Sequence, residues 1–201
     1  MINIVSKFID KKLLCQRDNK LLVAISGGAD SVALFLCLNE LGYDIELAHC
    51  NFDLRGEESD NDEEFVKQLA DNFGVRLHLK SFDTQKYANE NKVSIQMAAR
   101  DLRYKWFNEL LVDNDLNYIA VGHHKNDDVE TFFINLTRGS GLKGLLGIKP
   151  KNNNIIRPLL CVSRLQIEAY LLAFKQSFRE DSSNKKVKYL RNKIRYELIP
   201  L

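Results

Sequence analysis

Short apolar runs alternate with amphipathic stretches along most of this chain. Leu21-Leu22-Val23-Ala24-Ile25 is a continuous apolar run that stops at Ser26-Gly27-Gly28, the pattern of a strand buried on both faces. Val32, Leu34, Phe35 and Leu38 then recur at helical spacing up to Gly42, a C-terminal stop. An amphipathic helix over 2–16 precedes this unit. After it the pattern predicts a strand at 45–49, a helix at 57–73 with acidic first turns and a strand at 75–79. A helix at 94–112, a strand at 118–121 and a helix at 126–137 follow. Such alternation predicts an α/β doubly wound parallel sheet covered on both faces. Ligands of these sheets bind beyond the carboxyl ends of the strands, so Ser26 to Ser31 and Gly122 to Asp128 are expected to share one crevice.

Past Gly147 the character changes. A loop with Lys149-Pro150-Lys151 and three Asn leads to a short run ending in Arg157-Pro158, then to helices at 163–175 and 187–198. The expected division is 1–147 for the sheet domain and 148–201 for a small basic, mainly helical extension.

Composition narrows the class. With 201 residues, 45% apolar and 28% charged, the chain can bury one substantial core. It has no run of 18 apolar residues, and Lys7 and Asp10 interrupt its first ten positions. Neither a membrane span nor a signal peptide is therefore expected, and the cytoplasm is the expected compartment. Cys15, Cys37, Cys50 and Cys161 form no CxxC pair and read as buried small hydrophobes. The net charge of +2 hides a division: residues 138–201 hold 14 Lys/Arg against 4 Asp/Glu, whereas residues 1–137 hold 15 against 23. The basic third suits a polyanion, or is a solvated surface with no partner.

Ser26-Gly27-Gly28-Ala29-Asp30-Ser31 joins the first buried strand to a helix. Glycines permit a tight turn and close ligand approach, a helix N-terminus offers N–H groups, and two hydroxyls add donors, which together make a phosphate cradle. Walker A would place Lys where Asp30 stands. An acid beside phosphates suits a divalent metal; the plainer reading is that Asp30 or Ser31 caps the helix. Asp127 and Glu130, three apart, share a helix face and could hold a cation, or form an ordinary acidic first turn. Arg100 and Arg103 likewise share a face suited to bidentate phosphate contact, or to surface packing. His123 and His124 are adjacent, without zinc spacing. Gly139-Ser140-Gly141-Leu142-Lys143-Gly144 fits GxGxxG but follows a helix, so it reads as a substrate loop. In the predicted last helix Lys188, Arg191 and Arg195 form a basic stripe opposite Leu190, Ile194 and Leu198.

Taken together these segments resemble a known family. SGGADS resembles the SGGxDS pyrophosphate loop of the N-type ATP pyrophosphatases, also called the PP-loop superfamily. His49-Cys50-Asn51-Phe52-Asp53-Leu54-Arg55 with Ser59 and Asp62-Glu63-Glu64, Ala98-Ala99-Arg100 through Tyr104, Gly122 through Thr131, Arg138-Gly139-Ser140-Gly141, Arg157-Pro158-Leu159-Leu160 and Asp181-Ser182-Ser183-Asn184 follow in the order of the tRNA(Ile)-lysidine synthases. Phe52 stands where that family commonly has His, and Asn126 replaces the first Asp of its acidic pair.

The resemblance implies an adenine nucleotide α-hydrolase-like sheet and the ligation of L-lysine to C2 of the wobble cytidine of tRNA(Ile) with a CAU anticodon, through an adenylated intermediate. ATP and Mg2+ are implied, with Ser26, Gly27, Gly28, Ala29, Asp30, Ser31 and His123 on ATP and Asp30 on the metal. Asp30, Arg100, Arg103 and Asp127 would be catalytic, and Asp127 and Glu130 would receive lysine. Arg55, Arg138, Arg157, Asn184, Lys188, Arg191, Asn192 and Arg195 would contact tRNA. A homodimer is compatible with the sequence. The rivals are another tRNA-modifying pyrophosphatase of thiolase type, for which paired CxxC cysteines would be expected, and a non-catalytic nucleotide- or RNA-binding module. The chain stops at Pro200-Leu201, where members of the family often continue into further tRNA-gripping domains.

Overall fold

The computed structural model describes residues 1–141, 144–179 and 194. Its strands are β1 (Lys20–Ala24), β2 (Asp44–Asn51), β3 (Leu77–Ser81), β4 (Tyr118–Ala120), β5 (Lys151–Asn152) and β6 (Ile155–Ile156). They form one sheet in the order β3-β2-β1-β4-β6-β5. All neighbours are parallel except the β5–β6 hairpin at the edge. The helices are α1 (Ile2–Lys12), α2 (Ala29–Glu40), α3 (Glu57–Phe73), α4 (Thr84–Asn91), α5 (Ile95–Asp113), α6 (Lys125–Thr137) and α7 (Arg164–Ala173).

Strand β1 explains the layering. Its side chains alternate in direction, so Leu21 and Val23 enter one core with Val32, Phe35, Ile156, Leu159, Ile167 and Leu171. Leu22 enters the other, with Phe82, Trp106, Phe107, Leu110 and Ile119. Helix α2 is buried at Ala29 and continuously from Ser31 to Leu38, since the sheet, α1 and α7 cover it. Sheet and core therefore run on past residue 147 into the β5–β6 hairpin and α7.

The predicted elements appear with shifted ends. Helix α1 closes at Lys12, because Leu13 turns left-handed (φ 50°) and sends Leu14 into the core. Strand β3 begins at Leu77 rather than 75. Helix α4 was not expected: its sequence, Thr-Gln-Lys-Tyr-Ala-Asn-Glu-Asn, has no apolar period and buries Thr84 and Ala88 alone, while Asp83 caps it by accepting from Lys86 N at 2.9 Å. Of the four thiols, all free, Cys37 is buried and the others half-buried. Of the predicted helix at 187–198 the described residues include Ile194 alone, which is buried.

Candidate functional site

The chain runs outward from β1 through β2 to β3 and then returns to β4 on the other side of β1, so the order reverses between β1 and β4. A crevice opens beyond the carboxyl ends of two such strands. The loop after β1 and the segment after β4 meet there. A Cβ on Gly122 would lie 3.0 Å from the carbonyl carbon and oxygen of Asp30 and 3.1 Å from Ser31 N, a closeness that glycine alone accommodates.

The loop is organised by its own hydroxyls. Ser31 Oγ accepts from Ser26 N (3.1 Å) and donates to Gly28 O (2.9 Å), while Ser26 Oγ accepts from Gly28 N (3.3 Å). Gly27 turns at φ +88°, and Arg179 N donates to its carbonyl at 2.9 Å. His49, buried at the end of β2, contacts Ile25 O through Nδ1 at 2.9 Å. Burial pushes the His49 pKa down, which keeps the ring neutral with Nδ1–H donating to that carbonyl. The N-cap of α2 is Gly28, with no side-chain capping bond. Neither Asp30 nor Ser31 caps the helix, which leaves its first-turn N–H groups without a side-chain cap.

Asp30, 31% exposed at its side chain, lies 3.7 Å from His124 Nε2 and accepts from Arg164 Nη1 at 2.8 Å. Burial pushes its carboxyl pKa up; His124 and Arg164 pull it back, and Asp127 raises it. The same His124 Nε2 is 3.6 Å from Asp127, whose carboxylate accepts from His124 N at 3.0 Å. His124 Nδ1 is buried without a hydrogen-bond partner among the described residues. Asp30 and Asp127 are thus gathered around one imidazole. Glu130, one helical turn beyond Asp127, is completely buried.

The arginines divide. Arg157, 7% exposed, donates from Nε to His123 Nδ1 (3.2 Å) and from Nη1 to Lys149 O (2.8 Å), so its guanidinium faces the interior rather than a phosphate backbone. That bond makes Nδ1 of His123 an acceptor and places the ring proton on Nε2. Arg100 is exposed and stacks 4.9 Å over Tyr104; Arg103 lies 5.2 Å over Phe52, which stacks on Phe82. The aromatic at 52 therefore seats Arg103 by cation–π contact. Arg55 pairs with Asp62 at 2.9 Å, and Asp62 also accepts from Arg179 Nε at 2.9 Å, tying the segment after α7 to α3. Arg138 is exposed at the end of α6. Asn184, Lys188, Arg191, Asn192 and Arg195 lie outside the described residues.

Two residues were not selected from sequence, Arg164 and Arg179, because nothing local shows that either reaches a loop so distant in the chain. Asn126 acquires a role: its Oδ1 accepts from Arg164 N at 3.0 Å and so holds the N-terminus of α7 against that of α6. Asn126→Ala should lower stability by about 1 kcal/mol, and Asn126→Asp should stay near wild type because it keeps the acceptor; urea unfolding of both variants checks this. No group of three or more His, Cys, Asp or Glu side chains that could hold a metal occurs among the described residues, and no described helix is long and apolar enough to cross a membrane.

A doubly wound sheet carrying an uncapped, glycine-rich turn at its switch point defines an α/β domain built to hold phosphate groups. The model of the PP-loop domain matches residues 2–201, and the chain belongs to that family. It is 53% identical over 197 residues to the tRNA(Ile)-lysidine synthase of Bacteroides thetaiotaomicron, covering 98% of this chain and 46% of that protein. The lysidine synthase of Porphyromonas gingivalis strain W83 is 50% identical over 193 residues (96% and 42% covered), and that of Clostridium acetobutylicum 38% over 205 residues (100% and 44%). The chain spans less than half the length of these three relatives. Among solved structures, the U34-tRNA thiolase NcsA from Methanococcus maripaludis matches with a TM-score of 0.76 over 96% of this chain and 69% of that one, at 18% identity, a likeness of fold.

Proposed function

We propose that this chain is the catalytic unit of a tRNA(Ile)-lysidine synthase, which uses ATP to join L-lysine to C2 of the wobble cytidine in a CAU anticodon. The observation that carries the reading is the convergence of the phosphate loop, through Asp30 and His124, on Asp127. One crevice thereby offers an anion cradle and, beside it, a carboxylate for a cation.

In this reading the first-turn N–H groups of α2 and the Ser26 hydroxyl bind the β- and γ-phosphates of ATP. The cytidine C2 oxygen attacks the α-phosphorus, the bond to the β-phosphate breaks, and pyrophosphate leaves. A carbonyl oxygen leaves poorly until it has become such a phosphate ester. Arg103, seated on Phe52, and Arg100 face the charge that shifts between the phosphates. His123, held by Arg157, directs Nε2–H to the nucleotide. Asp127 receives the lysine ε-ammonium and takes the proton it must lose before the amine attacks C2 and AMP departs. Glu130, expected to receive lysine with Asp127, is completely buried, so in this reading the ammonium meets Asp127 first.

Magnesium that travels with polyphosphate takes most of its ligands from phosphate and water, so one or two protein carboxylates suffice. Asp30 fits that requirement and would hold the ion, which when bound would supply positive charge to the departing pyrophosphate, leaving Asp127 to the amine. The exposed Arg138 and the basic excess of residues 138–201 would meet the anticodon arm. The reading places the work in the cytoplasm, where the tRNA is.

Incubation with ATP, Mg2+, radiolabelled lysine and total bacterial tRNA is expected to place label on the wobble cytidine. Nucleotide binding without turnover on any tRNA would support the non-catalytic module instead, and sulfur transfer would support the thiolase reading.

A further inference from the structure

Arg164 opens α7, and its backbone is fixed from several sides. Asn126 Oδ1 accepts from its N–H, Lys125 N donates to Val162 O at 2.9 Å, and Ser163 caps the helix by accepting from Gln166 N. Ile167 and Leu171 anchor the helix in the core that also holds α2. The side chain, by contrast, ends at the crevice, 37% exposed. Its guanidinium is shared between two carboxylates, Asp30 through Nη1 at 2.8 Å and Glu168 through Nε at 2.7 Å. Asp30 is also faced by His124 and Asp127, and Arg164 lies 2.8 Å from it, at a place where polyphosphate would add several negative charges.

We propose that Arg164 is the counter-charge of Asp30, and that it yields this carboxylate when polyphosphate arrives with its divalent cation. Arg164 is thus a positioning residue that sets how much cation nucleotide binding requires. The proposal rests on the reading of the crevice as an ATP site, and it is independent of which acceptor is modified. A rigid backbone with a partly exposed head group suits the exchange, because the guanidinium can leave Asp30 for Glu168 or for a phosphate without moving α7. The pairing also gives a partly buried carboxylate a hydrogen-bond donor of opposite charge in a fixed place.

The test is titration of the chain with α,β-methylene ATP at a series of Mg2+ concentrations, following binding by calorimetry and circular dichroism to confirm folding. In Arg164→Gln the Mg2+ concentration at half effect should fall about threefold to fivefold, the scale of a partly exposed ion pair. Arg164→Lys, which keeps the charge, should restore much of the wild-type requirement. Glu168→Gln should act in the opposite direction, raising the requirement, because it leaves the guanidinium wholly to Asp30; this variant keeps the test decisive should Arg164→Gln misfold. An unchanged Mg2+ midpoint in Arg164→Gln, or a midpoint in Glu168→Gln that falls or does not move, overturns the proposal. Wild-type chain that binds the nucleotide but incorporates no lysine counts against the synthase reading alone. Failure to bind nucleotide at any Mg2+ concentration overturns both.

Discussion

Asp30→Asn should reduce tRNA-dependent release of pyrophosphate, measured without lysine, by about a hundredfold or more, the scale of losing one charge-stabilising group at a reacting centre. The residue sits in the first turn of α2, where the helix dipole favours anions, and an amide there can neither balance a divalent cation nor pair with Arg164. The same variant should be no less stable than wild type at pH 7.5 in the absence of ligand. Burial raises the folded-state pKa of Asp30 above its ordinary 3.8. A group shifted in that direction contributes stability that is fully present below the unfolded value and is lost as pH rises through the folded one. Ionising this carboxylate therefore works against the fold, and Asn imitates the neutral form. Melting curves of the two proteins at pH 7.5, together with pyrophosphate assays, check both halves. Full activity in Asp30→Asn would sink the role given to this carboxylate.

Gly122→Ala should damage nucleotide binding by about tenfold or more, because small displacements of a binding loop are costly, and should cost about 1–3 kcal/mol of stability, the range for overpacking. The added methyl group would meet the carbonyl carbon and oxygen of Asp30 at 3.0 Å and Ser31 N at 3.1 Å, and these are backbone atoms at the base of the phosphate loop rather than the end of a flexible side chain. The strain can be relieved only by moving the loop or β4. Gly139→Ala is the control: its Cβ would meet nothing within 4 Å, although φ +68° adds backbone strain there. A Gly122→Ala protein that binds α,β-methylene ATP like wild type would show that the two loops do not share one crevice.

Local sequence carried a large part of this molecule. The apolar run 21–25 reads as a buried strand because it is short, continuous and stopped by Ser26-Gly27-Gly28, where the glycines permit the turn, and the observed strand is Lys20–Ala24. Periodicity placed α2, α3, α5, α6 and α7 within a few residues of their observed ends, and the strand–helix alternation determined that the loops after β1 and β4 would meet. Helix α4 and the β5–β6 hairpin escaped for opposite reasons: the helix is polar on most sides, and two-residue strands have no period to detect.

What tertiary structure alone decided is the partner of each charged group. Sequence placed Asp30 in a phosphate loop, but only the packing of α7 on α2 brings Arg164 to it across 134 positions. Arg157 carries the same side chain as Arg138, yet one is buried against His123 and Lys149 while the other is exposed, a difference set by the sheet's edge rather than by neighbours in the chain. Phe52 reads as a departure from a family pattern until Arg103 is found over its ring. Hydrophobic patterning is local and additive, so a sequence displays it. Ion pairs, hydrogen bonds and cation–π contacts depend on distances of a few ångströms between segments far apart in the chain, and those distances exist only once the fold has formed.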